Sequence, residues 1–132
     1  MAKLLQAIAA YIPRLDLNKT AQLKSLVRWM SSRTGVNSSE VKMVLEELHE
    51  GIIFYASQGT PVKLPGVGTF TPVINRDGTF KIGFRADPDL KRAINMEGRY
   101  EGRMKQPGNI GITNEALKEL WDADHPDDPL EI

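Results

Sequence analysis

Three side chains close together in the sequence carry atoms that bind metals. Glu46, His49 and Glu50 stand three and four residues apart, which places them on neighbouring turns of a helix. Zinc usually takes three or four ligands, and no second histidine or cysteine joins this group. The pattern favours a solvated acidic helix face, and we expect no metal site and no cofactor.

Four aspartates near the carboxyl end, at positions 122, 124, 127 and 128, raise the question of calcium. A calcium-binding EF-hand loop needs a fixed ligand pattern with a central glycine and a terminal glutamate. That pattern is absent here.

The sequence also lacks the residues that catalysis would need. The chain has no cysteine, and no nucleophile, base and orienting group can be assembled from its residues. The glycines at residues 65–68 are not followed by the Gly-Lys-Ser/Thr of a phosphate loop. We therefore expect a non-enzymatic protein with no catalytic residues and no small-molecule substrate.

Basic side chains remain as candidates for binding anions. The formal net charge is zero, but residues 18–99 hold twelve basic and eight acidic groups, whereas residues 100–132 hold three and eight. Lysine and arginine drive binding to phosphates by releasing counterions. Overall neutrality lowers the expected affinity, but it leaves the middle of the chain able to bind an anionic partner.

Helical periodicity identifies the elements that position these groups. Apolar residues recur at helical spacing over residues 4–12, and Pro13 ends this first helix, after which we expect a linker through Asp16. Thr20 is predicted to cap a second helix that ends near Gly35. A third helix follows Asn37.

The third helix has the clearest signal. Asn37 and Glu40 have the form of a capping box, and apolar residues then repeat on one face from Val41 to Tyr55.

From Thr60 the apolar period changes to two, which predicts short antiparallel strands. Residues 65–68 and 75–78 supply tight turns between them. The alternating apolar positions are Val62 and Leu64, then Phe70 and Ile74, then Phe80, Ile82 and Phe84.

The remaining residues predict two helices and a connection. Asp87-Pro88-Asp89 can begin a brief helix through Ala93. Residues 97–111 have no periodicity and are expected to form a loop or extended arm. Helical pattern returns over residues 113–123, and the final residues DDPLEI are expected to form a frayed acidic tail.

The order of these elements and several residues resemble HU and integration host factor, the bacterial histone-like DNA-binding proteins. The most specific part is the Gly-x-Gly-x-Phe corner, present here as Gly66-Val-Gly-Thr-Phe70, with Gly59 before the preceding strand. DPDLKRAIN, residues 87–95, looks like the closing helix of that family. The additional front helix and long back extension resemble a divergent branch of histone-like proteins.

The resemblance implies an α+β, HU-like fold: a helical hairpin and a small three-stranded antiparallel sheet, with extra N-terminal and C-terminal helices. We expect an N-terminal helical extension over residues 1–17, an HU-like domain over 18–95 and a C-terminal extension over 96–132. The family also implies a homodimer. The sequence has no apolar run long enough to predict a membrane span. The chain is expected in the cytoplasm, at the nucleoid.

One feature of the family is missing. Family members bend DNA with a long basic β-ribbon arm whose tip proline wedges between base steps. Here Asn75 to Gly78 already close the hairpin, so its strands are too short to form such an arm. Pro72 lies beside the corner, where we expect it to end or kink an edge strand.

The remaining basic residues of this region are the predicted phosphate contacts. Lys81 and Arg85 alternate with the apolar residues of their strand and should lie on its opposite face. The full set is Arg76, Lys81, Arg85, Lys91, Arg92, Arg99, Arg103 and Lys105.

Two functions stay open. The first is an HU-like architectural protein that contacts the DNA backbone without strong sequence specificity. The alternative is a protein-interaction or structural module that keeps the HU fold and has lost DNA binding. Between them lies an autoinhibited form, in which the acidic segment 115–131 competes with DNA for the basic face.

Overall fold

A computed structural model describes residues 2–131, with side chains from Leu4 onward, and divides the chain into two compact units. We call residues 19–100 the central unit, and residues 2–18 together with 101–131 the terminal unit. Among the described helices, none has the length and apolar character needed to cross a membrane.

The central unit begins with a helical hairpin, α2 (Leu23–Thr34) and α3 (Ser38–Ala56). Gly35 ends α2 in the left-handed region with φ of 76°, as predicted. Asn37 caps α3 as expected, but its side chain accepts from the Ser39 N–H instead of forming the predicted capping box with Glu40. Val27 and Val41 are the buried residues of the two helices. The predicted cap at Thr20 is wrong, because α2 starts later and its N-cap, Gln22, makes no side-chain cap bond.

A three-stranded antiparallel sheet follows, with the strands in the order β2 (Val62–Leu64), β3 (Gly68–Ile74) and β4 (Phe80–Ala86). The Gly78 N–H donates to the Asn75 carbonyl at 3.0 Å and closes the β3–β4 hairpin directly. The strands on either side have seven residues each, so the absence of a long arm is confirmed.

Pro72 does not end a strand as expected. It lies inside β3 opposite Ile82, and the strand continues to Ile74. β2 pairs only with residues 68–70, so β3 has an open edge at Pro72, where a missing N–H donor removes no ladder bond.

Helix α4 (Pro88–Ile94) is tied to the corner before β3 by one carboxylate. Asp87 accepts a hydrogen bond from the Asp89 N–H at 2.8 Å, which caps α4, and another from the Gly66 N–H at 3.2 Å. The Asp87 N–H donates in turn to the Val67 carbonyl. This mutual bonding fixes the closing helix against the glycine corner.

The terminal unit brings the two chain ends together. Its elements are α1 (Ala2–Tyr11), β1 (Arg14–Asp16), β5 (Arg103–Lys105), a 3-10 turn (Pro107–Asn109) and α5 (Asn114–Asp124). Helix α1 packs on α5, and its fully buried Ala7 contacts Trp121 and Leu130 in the core of this unit.

Two expectations for this unit are wrong. The segment expected to be a linker contains β1, and the segment expected to be a loop or arm contains β5, which pairs with β1 antiparallel. Gln106 and Asn109 reinforce the pairing, because their side-chain amides donate to the carbonyls of Ala10 and Tyr11.

The last residues do not fray. Residues 125–131, which we call the C-terminal strap, return along α5 and place Leu130 in the core with 2% of its surface exposed. The Trp121 indole N–H donates to the Asp128 carbonyl at 2.7 Å, and the Leu130 N–H donates to Asp122 at 2.7 Å. An apolar residue near the end of an acidic segment thus anchors the strap.

Candidate nucleic-acid interface

One face of the central sheet is basic. In the ladder register, Lys63 lies opposite Thr69, and Thr69 lies opposite Arg85, so one row crosses all three strands. Lys81 lies further along β4, opposite Val73. Side chains alternate across a strand, so Lys81 and Arg85 share a face opposite Phe84, as the sequence predicts.

The three cations of this sheet face, Lys63, Lys81 and Arg85, are exposed. Within residues 2–131, none of them lies within ion-pair distance of a carboxylate. Adjacent strands stand about 4.8 Å apart, which separates the backbones of Lys63 and Arg85 by roughly 10 Å. An unneutralised row of cations on a sheet surface can contact backbone phosphates without reading bases.

Lys63 is absent from the sequence-based set of contacts. The signal was present, since Lys63 stands between the apolar residues Val62 and Leu64 and must point to the opposite face. Its place in a row with Arg85 depends on the register of β2 against β3, which the local sequence does not determine.

Arg76 lies at the hairpin tip, beside a carboxylate. Asp77 accepts hydrogen bonds from the Thr79 hydroxyl at 2.7 Å and the Thr79 N–H at 3.0 Å. These bonds hold the pKa of Asp77 below its usual value, so the carboxylate stays ionised next to Arg76. The tip therefore carries no net charge and attracts phosphate less than the sheet face does.

Helix α4 supplies two further candidates. Arg92 forms an ion pair with Asp89 one turn earlier on α4, which offsets its charge, whereas Lys91 on the same helix is exposed. Arg99 follows α4 in the central unit and is exposed.

Arg103 and Lys105 belong to the other unit. Both lie on β5, where Arg103 stands 3.6 Å from the carboxylate of Asp16 and Lys105 lies opposite Arg14. The eight predicted contacts are thus divided between two units, and the sheet face brings together Lys81 and Arg85 with the overlooked Lys63.

The opposite face of the sheet is apolar and open to solvent. Phe80 is 78% exposed, Ile74 63% and Phe84 52%, and Ile53 of α3, which lies near Phe80, is 48% exposed. A cleft of about 310 Å³ runs between α3 and the sheet, lined by Ile53, Ala56, Ser57, Pro72, Phe80, Lys81 and Ile82. Contiguous apolar surface of this kind marks a protein–protein contact.

The metal-capable groups remain on the surface. His49 and Glu50 lie 3.4 Å apart with their side chains mostly exposed, and Glu46 lies 4.0 Å from Lys42. Among the described residues, no three histidine or carboxylate side chains converge on a position that could hold a metal ion.

Comparison with known proteins shows which proteins the chain is similar to. Two similar solved structures are an HU mutant from Thermotoga maritima (22% identity, TM-score 0.46, 59% of this chain and 99% of that one) and an Anabaena HU–DNA cocrystal structure (21% identity, TM-score 0.49, 58% and 99%). No curated protein matches the chain.

A family model described as an HU domain fused to a wHTH, Ig or glycine-rich motif, HU-HIG, matches residues 6–99. This match covers well over half of the sequence, and it includes the helical hairpin, the glycine corner, the sheet and the closing helix. The resemblance drawn from the glycine corner is confirmed, and this chain is a member of the HU-HIG family.

Proposed function

We propose that this protein is a DNA-binding architectural protein that contacts the phosphodiester backbone through the basic face of its central sheet. The observation that carries the proposal is the exposed row of Lys63 and Arg85, with Lys81 beyond it on β4. Membership of the HU-HIG family supports it. The central unit holds twelve basic and eight acidic residues, so its net charge of +4 also favours an anionic partner.

The protein works as a homodimer in this proposal. Apolar side chains of β3, β4 and α3 are exposed in the single chain, and a second copy seated on the same face would cover them on both chains at once. Without a long arm, the dimer binds without strong bending. It acts in the cytoplasm, at the nucleoid, and has no catalytic role.

A fluorescence-anisotropy titration of duplex DNA at about 50 mM and about 200 mM salt tests the proposal. Six phosphate contacts per dimer predict a loss on the order of 10³ in affinity between these conditions. Lys63→Glu and Arg85→Glu should each weaken binding by roughly tenfold and lower the salt dependence. Arg28→Glu, an equal change of charge on α2, serves as the control. If Arg28→Glu abolished DNA binding and the two sheet variants did not, the assignment to the sheet face would be wrong.

A second candidate is a protein-interaction module with the HU fold and no DNA binding. It is favoured by the neutral overall charge, the missing arm, the Arg92–Asp89 pair and the ionised Asp77 beside Arg76. A folded dimer that binds no duplex at about 50 mM salt would establish this candidate in place of the first.

The autoinhibited form needs its own test. Deleting residues 112–132 would remove α5 and the strap and so expose the core around Ala7. A milder change is Glu115→Gln with Glu119→Gln, because both carboxylates are exposed on α5. Tighter DNA binding by this variant is expected if the acidic segment competes with DNA, and unchanged affinity counts against competition.

A further inference from the structure

A second basic surface lies away from the sheet. A groove of about 540 Å³ runs between the first turns of α2 and the start of α3. Leu23, 43% exposed, and Val27, 6% exposed, give the groove an apolar surface. Ser38 and Ser39 complete the wall on the α3 side.

The charged residues that line this groove are all basic. Lys24 and Arg28 stand four residues apart, so they lie about 6 Å apart along α2, and Lys42 faces them from α3. In the part of the chain that the structure describes, no carboxylate lines the groove. Glu46 lies 4.0 Å from Lys42, at the outer limit of an ion pair, so it offsets the charge of Lys42 only weakly.

We propose that this groove binds an acidic amphipathic helix of a partner protein. Apolar side chains of such a helix would cover Leu23, and its flanking carboxylates would meet the cations of both walls. A phosphodiester backbone would satisfy the cations but leave Leu23 facing water, so the mixed lining favours a peptide over DNA. The proposal is independent of the sheet face, which shares no residue with the groove.

The test uses a fluorescein-labelled synthetic helix with leucines along one face and glutamates at the other positions. A second peptide with lysine in place of every glutamate is the control for apolar attraction alone. Anisotropy titration of the full-length protein should show binding of the acidic peptide and none of the basic peptide. Circular dichroism of each protein variant verifies its folding.

Protein variants then locate the site. The double variant Lys24→Glu/Arg28→Glu should weaken acidic-peptide binding by roughly tenfold or more. Leu23→Asn should also weaken it, whereas Lys63→Glu on the sheet should leave it unchanged. The reverse pattern is expected for duplex DNA, which Lys63→Glu weakens and the double variant does not.

Three results would overturn the proposal: equal binding of both peptides, no acidic-peptide binding by the folded protein, or acidic-peptide binding unaffected by the double variant. If the double variant instead lowers DNA affinity as much as Lys63→Glu does, the groove is a DNA contact. Failure of the DNA proposal leaves these outcomes unaffected, because the peptide assay contains no nucleic acid.

Discussion

Gly68 begins β3 at a point where the backbone of β4 comes very close. A Cβ atom built at this position would lie 2.5 Å from the Arg85 carbonyl oxygen and 2.6 Å from the Phe84 ring. A methyl group has no space there unless the corner or the strand moves. This contact, together with the positive φ of 81° at Gly66, explains why the corner requires glycines.

Gly68→Ala should therefore lower the free energy of unfolding by about 2–3 kcal/mol, as overpacking against fixed atoms does. Gly83→Ala is the matched control, because its nearest atoms lie at 3.7 Å and 3.8 Å and its strand is the same sheet's β4. Urea unfolding at one fixed protein concentration, followed by the NMR signal of the Trp29 indole, compares the two variants. Equal stability of both would refute the steric explanation.

Asp122 gives the terminal unit a dependence on pH. The Lys118 ammonium at 2.7 Å lowers the pKa of the Asp122 carboxyl, and the hydrogen bond from the Leu130 N–H adds to this shift. A carboxyl whose pKa is lower in the folded state stabilises that state above its unfolded pKa, and this contribution is lost as the pH falls through the folded pKa.

Asp122→Asn should thus destabilise the terminal unit near pH 7. The difference in unfolding temperature between the variant and the wild type should shrink as the pH falls from about 7 to about 3. Asparagine keeps an oxygen that can accept from Leu130, so the variant isolates the ionic part. Thermal unfolding followed by the NMR signal of the Trp121 indole measures the effect, with Asp127→Asn as the control for removing a charge. A difference that is constant with pH would contradict the ionic contribution.

At the scale of elements, the C-terminal strap closes the core of the terminal unit. Leu130 is 2% exposed and contacts Ala7 and Trp121, and its backbone is held at both its N–H and its carbonyl. The burial of Leu130 and these two hydrogen bonds oppose the loss of chain entropy that ordering the strap requires.

Leu130→Ala is expected to destabilise the terminal unit by about 2–4 kcal/mol, because it empties a buried site. Hydrogen exchange of the α5 amides should accelerate, whereas that of α3 in the central unit should not change. Leu5→Ala, at a position 69% exposed on α1, is the control. Similar effects of the two substitutions would mean that the strap contributes little.

The sequence predicts elements where the signal is local. The αL glycine after α2, the Asn37 cap, the Asp87 cap and the alternation in β4 all lie within a few residues of the structure they determine. The pairing of β1 with β5 could not be predicted, because it joins residues 14–16 to residues 103–105 through strands too short to alternate. The strap could not be predicted either, because one leucine among acidic residues and prolines has no periodicity.

The candidate site was predictable only in part, because part of it depends on contacts between residues that are distant in the sequence. Alternation correctly put Lys81 and Arg85 on one face, but the cross-strand row with Lys63 depends on the register of β2 against β3. The loss of effective charge at Arg76 and Arg92 depends on neighbouring carboxylates and their hydrogen bonds. Composition gives the number of cations and leaves open which of them are neutralised.

At the scale of the whole molecule, the apolar face of the central sheet predicts the oligomeric state. Phe80→Asp would place a charge in the proposed dimer contact of both copies. Burial of an unpaired carboxylate should cost at least about 3 kcal/mol and raise the dimer Kd by more than about 100-fold. Analytical ultracentrifugation should then show monomer where wild type is dimeric.

Leu5→Asp makes the same change at an exposed apolar residue of the terminal unit and should remain dimeric. Dimers of unchanged stability with Phe80→Asp would place the contact elsewhere.

The terminal unit combines a chain segment that precedes the central unit in the sequence with one that follows it. This order has a consequence for biosynthesis. A ribosome that adds about 5–20 residues per second needs roughly 4–16 s to make the 82 residues of the central unit. During that interval α5 has not been synthesised, so Ala7 has no core to enter. The order of translation therefore imposes an order of folding, in which the HU-like unit can form first and α1 packs only after α5 and Leu130 have been made.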